Sequence, residues 1–297
     1  MTPRVSVLVA TRDYGRYLAD AIRSVQRQTL TDWEMILVDD GSRDDTPDVV
    51  RPFLTDSRIR CIRTNSLGQP RAKNLALNLS QAPLVAYLDG DDAWLPSKLE
   101  RQIRLMEADP RLGVVFCRRL LIDPEGGILQ SRHDPFPRGQ VFNEILVNNF
   151  ACFSSVLVRR SVLEHVGSFD PRLELAIDYD LWLRVAPHYR FDFIDEALVK
   201  YRTGHGNLSK RIVERITSVL SIMRRCLQRR GQEKTTPIDV QREAWGSTYW
   251  TMAYVLRDRE PLRAAGWSFR AAKDDRKWWR TLKSLVRTLL MYRPTRG

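Results

Sequence analysis

The sequence predicts a doubly wound α/β domain followed by a basic helical extension, and three features predict it. Short β-branched runs alternate with longer segments of helical period over the first hundred residues. Acidic or polar clusters stand directly after three of those runs. Beyond residue 209 the strand patterns stop, and Arg- and Trp-rich helical patterns take over. With 297 residues, 43% of them hydrophobic, the chain has the length for one large domain plus an appendage.

Val5-Ser6-Val7-Leu8-Val9 reads as the first strand, and residues 15–28 place Tyr17, Leu18, Ile22 and Val25 near helical spacing. Met35-Ile36-Leu37-Val38 is a second apolar run, ended by the turn signal Asp39-Asp40-Gly41-Ser42. Residues 45–54 read as a helix, 58–63 as a strand, and 70–79 as a helix that Pro70 opens. Leu84-Val85-Ala86-Tyr87-Leu88 is a further strand, broken by Asp89-Gly90; Pro96, Lys98, Leu99 and Gln102 follow on a helix, which has Asp92 near its start and Pro96 in its first turn if the acidic turn is merely solvated. Strand, helix, strand in this order implies a parallel sheet covered on both faces. Residues 114–116 and 155–158 continue the strand pattern in a mixed α/β style, and a helix starts near Asp178. The expected domains are 1–209 and 210–297.

Composition excludes several classes. No apolar run approaches the roughly 18 residues that span a bilayer, and residues 5–10 are too short for a signal-peptide core. Cys61, Cys117, Cys152 and Cys226 are widely spread, which argues against zinc or a disulfide framework and for a reducing, cytoplasmic location. The net charge of +12 is uneven: residues 1–205 hold 27 Lys+Arg against 28 Asp+Glu, and residues 206–297 hold 21 against 8. Attraction to phosphates or anionic lipid therefore belongs to the tail.

Sheets of this kind bind ligands beyond the carboxyl ends of their strands, where Thr11-Arg12-Asp13, Asp39-Asp40 and Asp89-Gly90-Asp91-Asp92 all fall. Two carboxylates about 5 Å apart repel by roughly 3 kcal/mol at an effective dielectric of about 20. A hard divalent cation, Mg²⁺ or Mn²⁺, relieves that repulsion; the alternative is a solvated acidic turn. Neither a G-x-x-x-x-G-K-[ST] loop nor a G-x-G-x-x-G after the first strand is present, which disfavours a P-loop hydrolase and an ordinary Rossmann dehydrogenase.

These blocks, together with Ser24-Val25-Gln26-Arg27-Gln28-Thr29, Gly68-Gln69-Pro70-Arg71-Ala72-Lys73-Asn74, Ile177-Asp178-Tyr179-Asp180-Leu181-Trp182-Leu183 and residues 201–209, resemble family 2 glycosyltransferases in order over residues 3–209. The resemblance implies a GT-A fold and an inverting transfer of sugar from a nucleotide diphosphate sugar, with a UDP-sugar favoured, to a hydroxyl acceptor in polysaccharide, lipopolysaccharide or other glycan synthesis. It implies that Thr11, Arg12 and Asp13 flank the nucleoside and that Asp40 bonds the base. Arg71 then helps hold the nucleotide, and Asp89 lies near the ribose and metal. Asp91 is the implied metal ligand, His205 a further one, and Asp178 the catalytic base. Two stretches depart from the family: its usual Pro-Thr-Tyr-Asn reads Ala10-Thr11-Arg12-Asp13, which lacks the aromatic, and its usual Glu-Asp before the catalytic helix reads Ile177-Asp178.

Outside those blocks, Asp180 reads as a cap or salt-bridge partner and Trp182 as core, with an acceptor-sugar platform as the alternative. Residues 148–155 read as an acceptor contact or a buried connection. Trp278, Leu282, Leu285, Val286, Leu289 and Leu290 form an apolar stripe with Arg280, Lys283 and Arg287 on other faces. That helix either lies on an anionic membrane at its inner face or packs on the catalytic domain or a second subunit of a homo-oligomer. A glycan or lipid-linked acceptor is expected. Two alternatives of different class are a catalytically silent nucleotide-sugar-binding scaffold and a nucleic-acid-binding protein that uses the basic tail. No nucleic-acid motif accompanies that tail, and retention of Asp91 and Asp178 favours an enzyme.

Overall fold

A computed structural model describes residues 2–129, 135–204, 211–230 and 236–274. The apolar run that opens the chain forms β1 (Val5–Thr11), paired in parallel with β2 (Trp33–Asp39) on one side and β4 (Leu84–Tyr87) on the other. Beyond β2 lies β3 (Ile59–Arg63), also parallel. The second half of the sheet is built from β5 (Ala93–Trp94), β6 (Leu112–Ile122), β7 (Leu157–Arg159) and β8 (Arg190–Arg202). The order across the sheet is β3-β2-β1-β4-β7-β6-β8-β5. Because β7 runs antiparallel to β4 and β6, and β5 antiparallel to β8, the sheet is mixed rather than wholly parallel.

Helix α1 (Gly15–Gln26) buries Tyr17, Leu18, Ala21, Ile22 and Val25, the positions whose spacing marks a helix with one apolar face. Leu18, Ala21, Ile22 and Val25 join Val5, Val7 and Val9 of β1 and Met35 and Leu37 of β2 in one core, each large aliphatic group contributing about 1.5–3 kcal/mol of burial. The expected helix over 45–54 is a short α2 (Thr46–Val50) continued by a 3₁₀ stretch, Arg51–Thr55. Helix α3 (Gln69–Leu79) has Pro70 in its first turn and follows Gly68, whose φ of 87° favours glycine.

No helix starts at Asp92. Ala93–Trp94 pairs with β8, and α4 begins only at Lys98 (Lys98–Ala108), because Trp94 is buried and its Nε1 donates to the Ser154 carbonyl at 2.8 Å. Three further helices are described between β6 and β8 in sequence: α6 (Arg160–Val166), α7 (Ile177–Val185) and, before them, α5 (Phe142–Val147). The last of these belongs elsewhere. The described residues form two units, 2–141 with 150–204, and 142–149 with 211–274. The segment Phe142–Asn149 therefore lies with the helical unit, which a boundary at 209/210 does not provide for.

That second unit contains α5, α8 (Ile212–Arg230), α9 (Ile238–Leu256) and α10 (Pro261–Asp274). Ile216, Leu220, Met252, Leu256 and Ala264 form its core, with Trp245, Tyr249 and Trp267 against it. Among the described residues no helix is long and apolar enough to cross a membrane. The apolar stripe at 278–290 lies outside the described residues.

Helix α4 is tied to the sheet by a buried polar network. The Lys98 ammonium donates to Gln102 Oε1 at 2.8 Å and lies 3.9 Å from the centre of the Trp94 ring. Gln102 Nε2 donates in turn to the Val115 and Ser155 carbonyls. Burial pushes the Lys98 pKa down from 10.5 to about 8. Between those two values the unfolded chain holds a proton that the folded chain does not, so this group makes stability rise with pH across that window. The urea midpoint of the wild type should therefore gain on that of Lys98→Met as the pH is raised from 7 to 10; parallel curves would contradict the burial of a titrating amine.

Candidate active site

Strands β2, β1 and β4 are adjacent and parallel, so the turns after them share one edge of the sheet. The turns also touch. Asp40 N–H donates to the Thr11 carbonyl at 2.8 Å, Asp13 N–H to Ser42 Oγ at 2.9 Å, and Arg43 N–H to Asp13 Oδ1 at 2.7 Å. Asp13 holds a left-handed φ of 58°, which a short polar side chain tolerates. Gly90 packs directly on Thr11: a Cβ there would lie 2.9 Å from Thr11 Oγ1. Its glycine is required by that close approach, since its φ is not among the positive ones. Thr11 Oγ1 itself is buried without a hydrogen-bond partner.

Each expected nucleotide residue takes a distinct place. Arg12 is exposed, with its Nε 3.8 Å from Asp13 Oδ2, a surface pair worth little. Arg71 is exposed in the first turn of α3, its Nη1 3.5 Å from the Leu67 carbonyl. Asp40 is buried and accepts three hydrogen bonds from its own chain: Thr64 Oγ1 at 2.7 Å, Leu67 N–H at 2.6 Å and Gly68 N–H at 2.8 Å. A carboxylate offers about four acceptor positions, so Asp40 shapes the 64–68 loop and keeps room for one more donor.

The acidic cluster after β4 divides into two kinds of carboxylate. Asp92 turns inward. Its Oδ2 accepts from Ser154 Oγ at 2.5 Å and its Oδ1 from Arg202 N–H at 2.9 Å, and it is 2% exposed. Burial, then the neighbouring Asp91 and Asp89 charges, push its pKa well above the usual carboxylate range, against the pull of those two donors. Asp89 and Asp91 remain at the rim, only partly covered. Asp89 Oδ1 accepts from the Lys73 ammonium at 2.7 Å, and Lys73, itself 2% exposed, sits 3.9 Å from the centre of the Phe153 ring. The Arg202 guanidinium donates to the Asp91 carbonyl at 3.0 Å and to the Asp123 and Pro124 carbonyls.

Lys73, Ser154, Arg202 and the inward role of Asp92 were not singled out as functional from the sequence. Lys73 and Arg202 do stand inside blocks that the family resemblance marks, which was a usable signal. Ser154 lies in the 148–155 segment read as an acceptor contact or a buried connection, but its bonds to Asp92 and Asp89, across 62 and 65 residues of chain, leave no mark in the local pattern.

Asp178 stands half-buried in the first turn of α7, after Ala176 in a left-handed conformation at φ 57°. Asp180 faces away into an ion pair with Arg184 at 3.0 Å, the salt-bridge role expected of it, and Trp182 is fully buried, which makes it core. The segment from Ala151 to Ser155 is buried, as a connection would be. His205 lies outside the described residues.

Among the described residues no group of three or more His, Cys, Asp or Glu side chains converges as a ready-made metal cage. Mg²⁺ and Mn²⁺ do not require one, since one or two carboxylates plus phosphate oxygens and water suffice. Asp91 with the second oxygen of Asp89 fits that minimal set.

The sequence model described as Glycosyl transferase family 2 matches residues 6–167. An uncharacterized glycosyltransferase of Methanocaldococcus jannaschii is 31% identical over 206 residues, 67% of this chain and 71% of that one. TuaG of Bacillus subtilis, a glycosyltransferase assigned to teichuronic acid biosynthesis, is 30% identical over 212 residues, 70% of this chain and 82% of its own. The chain spans 54% and 33% of two further glycosyltransferases that it matches. Among solved structures, the mannosyltransferase PcManGT of Pyrobaculum calidifontis, in complex with GDP-Man and Mn²⁺, superposes with a TM-score of 0.65 at 19% identity over 99% of this chain and 82% of its own. S. aureus TarS 1–349, in complex with UDP-GlcNAc, gives 0.60 at 16% identity over 96% and 92%. At those identities the likeness is one of fold.

Removal of the Ser154 hydroxyl strips Asp92 of a donor and the Asp89 N–H of its acceptor. Ser154→Ala should cost about 1–3 kcal/mol of stability, read from urea denaturation at pH 7.

Proposed function

The chain belongs to glycosyl transferase family 2, and from that premise we propose that it is an inverting, cation-dependent enzyme that moves sugar from a nucleoside diphosphate sugar to a hydroxyl of a growing glycan. The observation that carries the reading is the division of labour after β4: Asp92 is spent inside the protein, while Asp91 and one oxygen of Asp89 stay at the rim. The GDP-Man and UDP-GlcNAc complexes of proteins with this fold support the donor class, and UDP is the favoured nucleotide. The similarity to TuaG, assigned to teichuronic acid biosynthesis, supports a role in glycan synthesis, and the acceptor proposed is a glycan or a lipid-linked glycan.

In this reading Thr11, Arg12, Asp13, Asp40 and Arg71 surround the nucleoside, with the remaining acceptor position of Asp40 turned to a base N–H. Asp91 and Asp89 hold Mn²⁺ or Mg²⁺, with His205 as a further ligand. When bound, that ion offsets the negative charge that gathers on the departing diphosphate. Lys73 holds Asp89 as a fixed acceptor, and the main-chain bonds of Arg202 keep Asp91 from swinging away. Asp178 accepts the proton of the attacking hydroxyl, a role worth about 10²–10⁴ in rate. Attack from the side opposite the leaving diphosphate inverts the anomeric centre.

The location proposed is the inner face of a membrane, reached through the basic helical unit. On α10, Leu262 and Phe269 are 66% and 59% exposed two turns apart, and Arg263, Arg270 and Lys273 flank them. An apolar stripe flanked by cations suits an anionic lipid surface.

Asp178→Asn should bind UDP with Mn²⁺ as the wild type does, by calorimetry, while turnover of UDP- and GDP-sugars falls at least about 100-fold. Unchanged turnover would remove Asp178 from the mechanism. The full chain should sediment with anionic phosphatidylglycerol vesicles at low salt and be released by about 0.5 M NaCl; a chain that stays in the supernatant at low salt would remove the membrane from the proposal.

A further inference from the structure

Helix α3 carries two adjacent side chains that leave it in different directions. Lys73 goes to Asp89. Asn74 goes to the main chain of Phe169, 95 residues away: its Nδ2 donates to the Phe169 carbonyl at 2.9 Å, and its Oδ1 accepts from the Phe169 N–H at 3.0 Å. Asparagine within a helix ordinarily turns to water or to its own backbone; here it satisfies both polar groups of a distant residue. Phe169 also packs its ring on Tyr87 of β4 and on Phe153, at 5.4 and 5.7 Å between centres. The same loop is gripped from its other side by Arg184 of α7, whose guanidinium donates to the Val166, Gly167 and Ser168 carbonyls at 2.7–2.8 Å and to Asp180. Asp178 lies in the first turn of the helix that Arg184 anchors.

We infer that Asn74 is a positioning residue: by clasping the main chain of Phe169, together with Arg184, it sets where α7 presents Asp178 relative to the Asp89 loop that Lys73 holds. The inference rests on the reading of Asp178 as the base. One short helix thus references both halves of the reaction to the same frame, the donor side through Lys73 and the acceptor side through Asn74. Two neutral hydrogen bonds contribute modestly to stability, whereas a misplacement of about 1 Å in a reacting group can cost about 10²-fold in rate. The effect on turnover should therefore outrun the effect on folding.

The test uses the full chain, with UDP-GlcNAc and GDP-mannose each supplied with Mn²⁺, and reads nucleoside diphosphate release and amide hydrogen exchange. Asn74→Ala is expected to lower kcat about 10- to 100-fold, to leave the donor KM within about 2-fold, and to speed exchange across residues 169–179. Arg184→Lys, which keeps the charge but loses the planar fork, should give the same signature and serves if Asn74→Ala does not fold. Wild-type kcat in Asn74→Ala, a matched change of KM and kcat, or unchanged exchange in the first turn of α7 would each overturn the inference. Failure of the base assignment shows separately, as wild-type turnover in Asp178→Asn.

Discussion

Three carboxylates within four residues repel one another, and the site depends on how the fold absorbs that repulsion. It does so unequally. Asp92 is taken into the protein, where Ser154 and the Arg202 N–H donate to it. Asp89 is half neutralised by an ammonium that is itself buried against an aromatic ring. Asp91 and Asp89 stay partly exposed, at the edge where β1, β2 and β4 end together. In the proposed mechanism a cation and a diphosphate meet at that rim, and the inward turn of Asp92 leaves two of the three carboxylates there.

The supports of this loop come from far along the chain. The 153–155 turn supplies Ser154, and it is held in its turn by Trp94 Nε1 and Gln102, the latter fixed by Lys98. The last residue of β8 supplies Arg202. Rigid elements on three sides therefore fix a short acidic turn. Such preorganisation is what lets charge stabilisation act without reorganisation during the reaction.

Much of the first unit was legible locally. The apolar periods over residues 5–79 place β1, α1, β2, β3 and α3 within a few residues of where they form, because each buries a face of its own: the first four contribute to one core, and α3 buries Pro70, Ala72, Ala76 and Leu77. The edge that gathers Thr11, Asp39 and Asp89 was legible too, since it follows from parallel order alone. Less visible was whatever depends on a distant partner. The strand read over 155–158 forms as β7 but gives no sign of its antiparallel direction, the two-residue β5 carries too little pattern of its own, and β8 spans 13 residues beside a β6 whose register shifts three times. Residues 142–149 read as part of the α/β body, but α5 packs with α9. Within the site, residue types announced the acidic cluster but could not say that Asp92 faces inward or that Asp40 already holds three donors of its own chain. Those facts are set by Ser154, Thr64 and the 67–68 backbone.

In the proposed mechanism the rim carboxylates and a divalent ion together receive the diphosphate. Calorimetric titration of UDP into the wild type and into Asp91→Ala, each with Mn²⁺ and with chelator, tests it most directly. The account predicts binding by the wild type that weakens at least about tenfold with chelator, by about 1.4 kcal/mol, and binding by Asp91→Ala that is weak in both conditions. Equal affinity in all four titrations would contradict it.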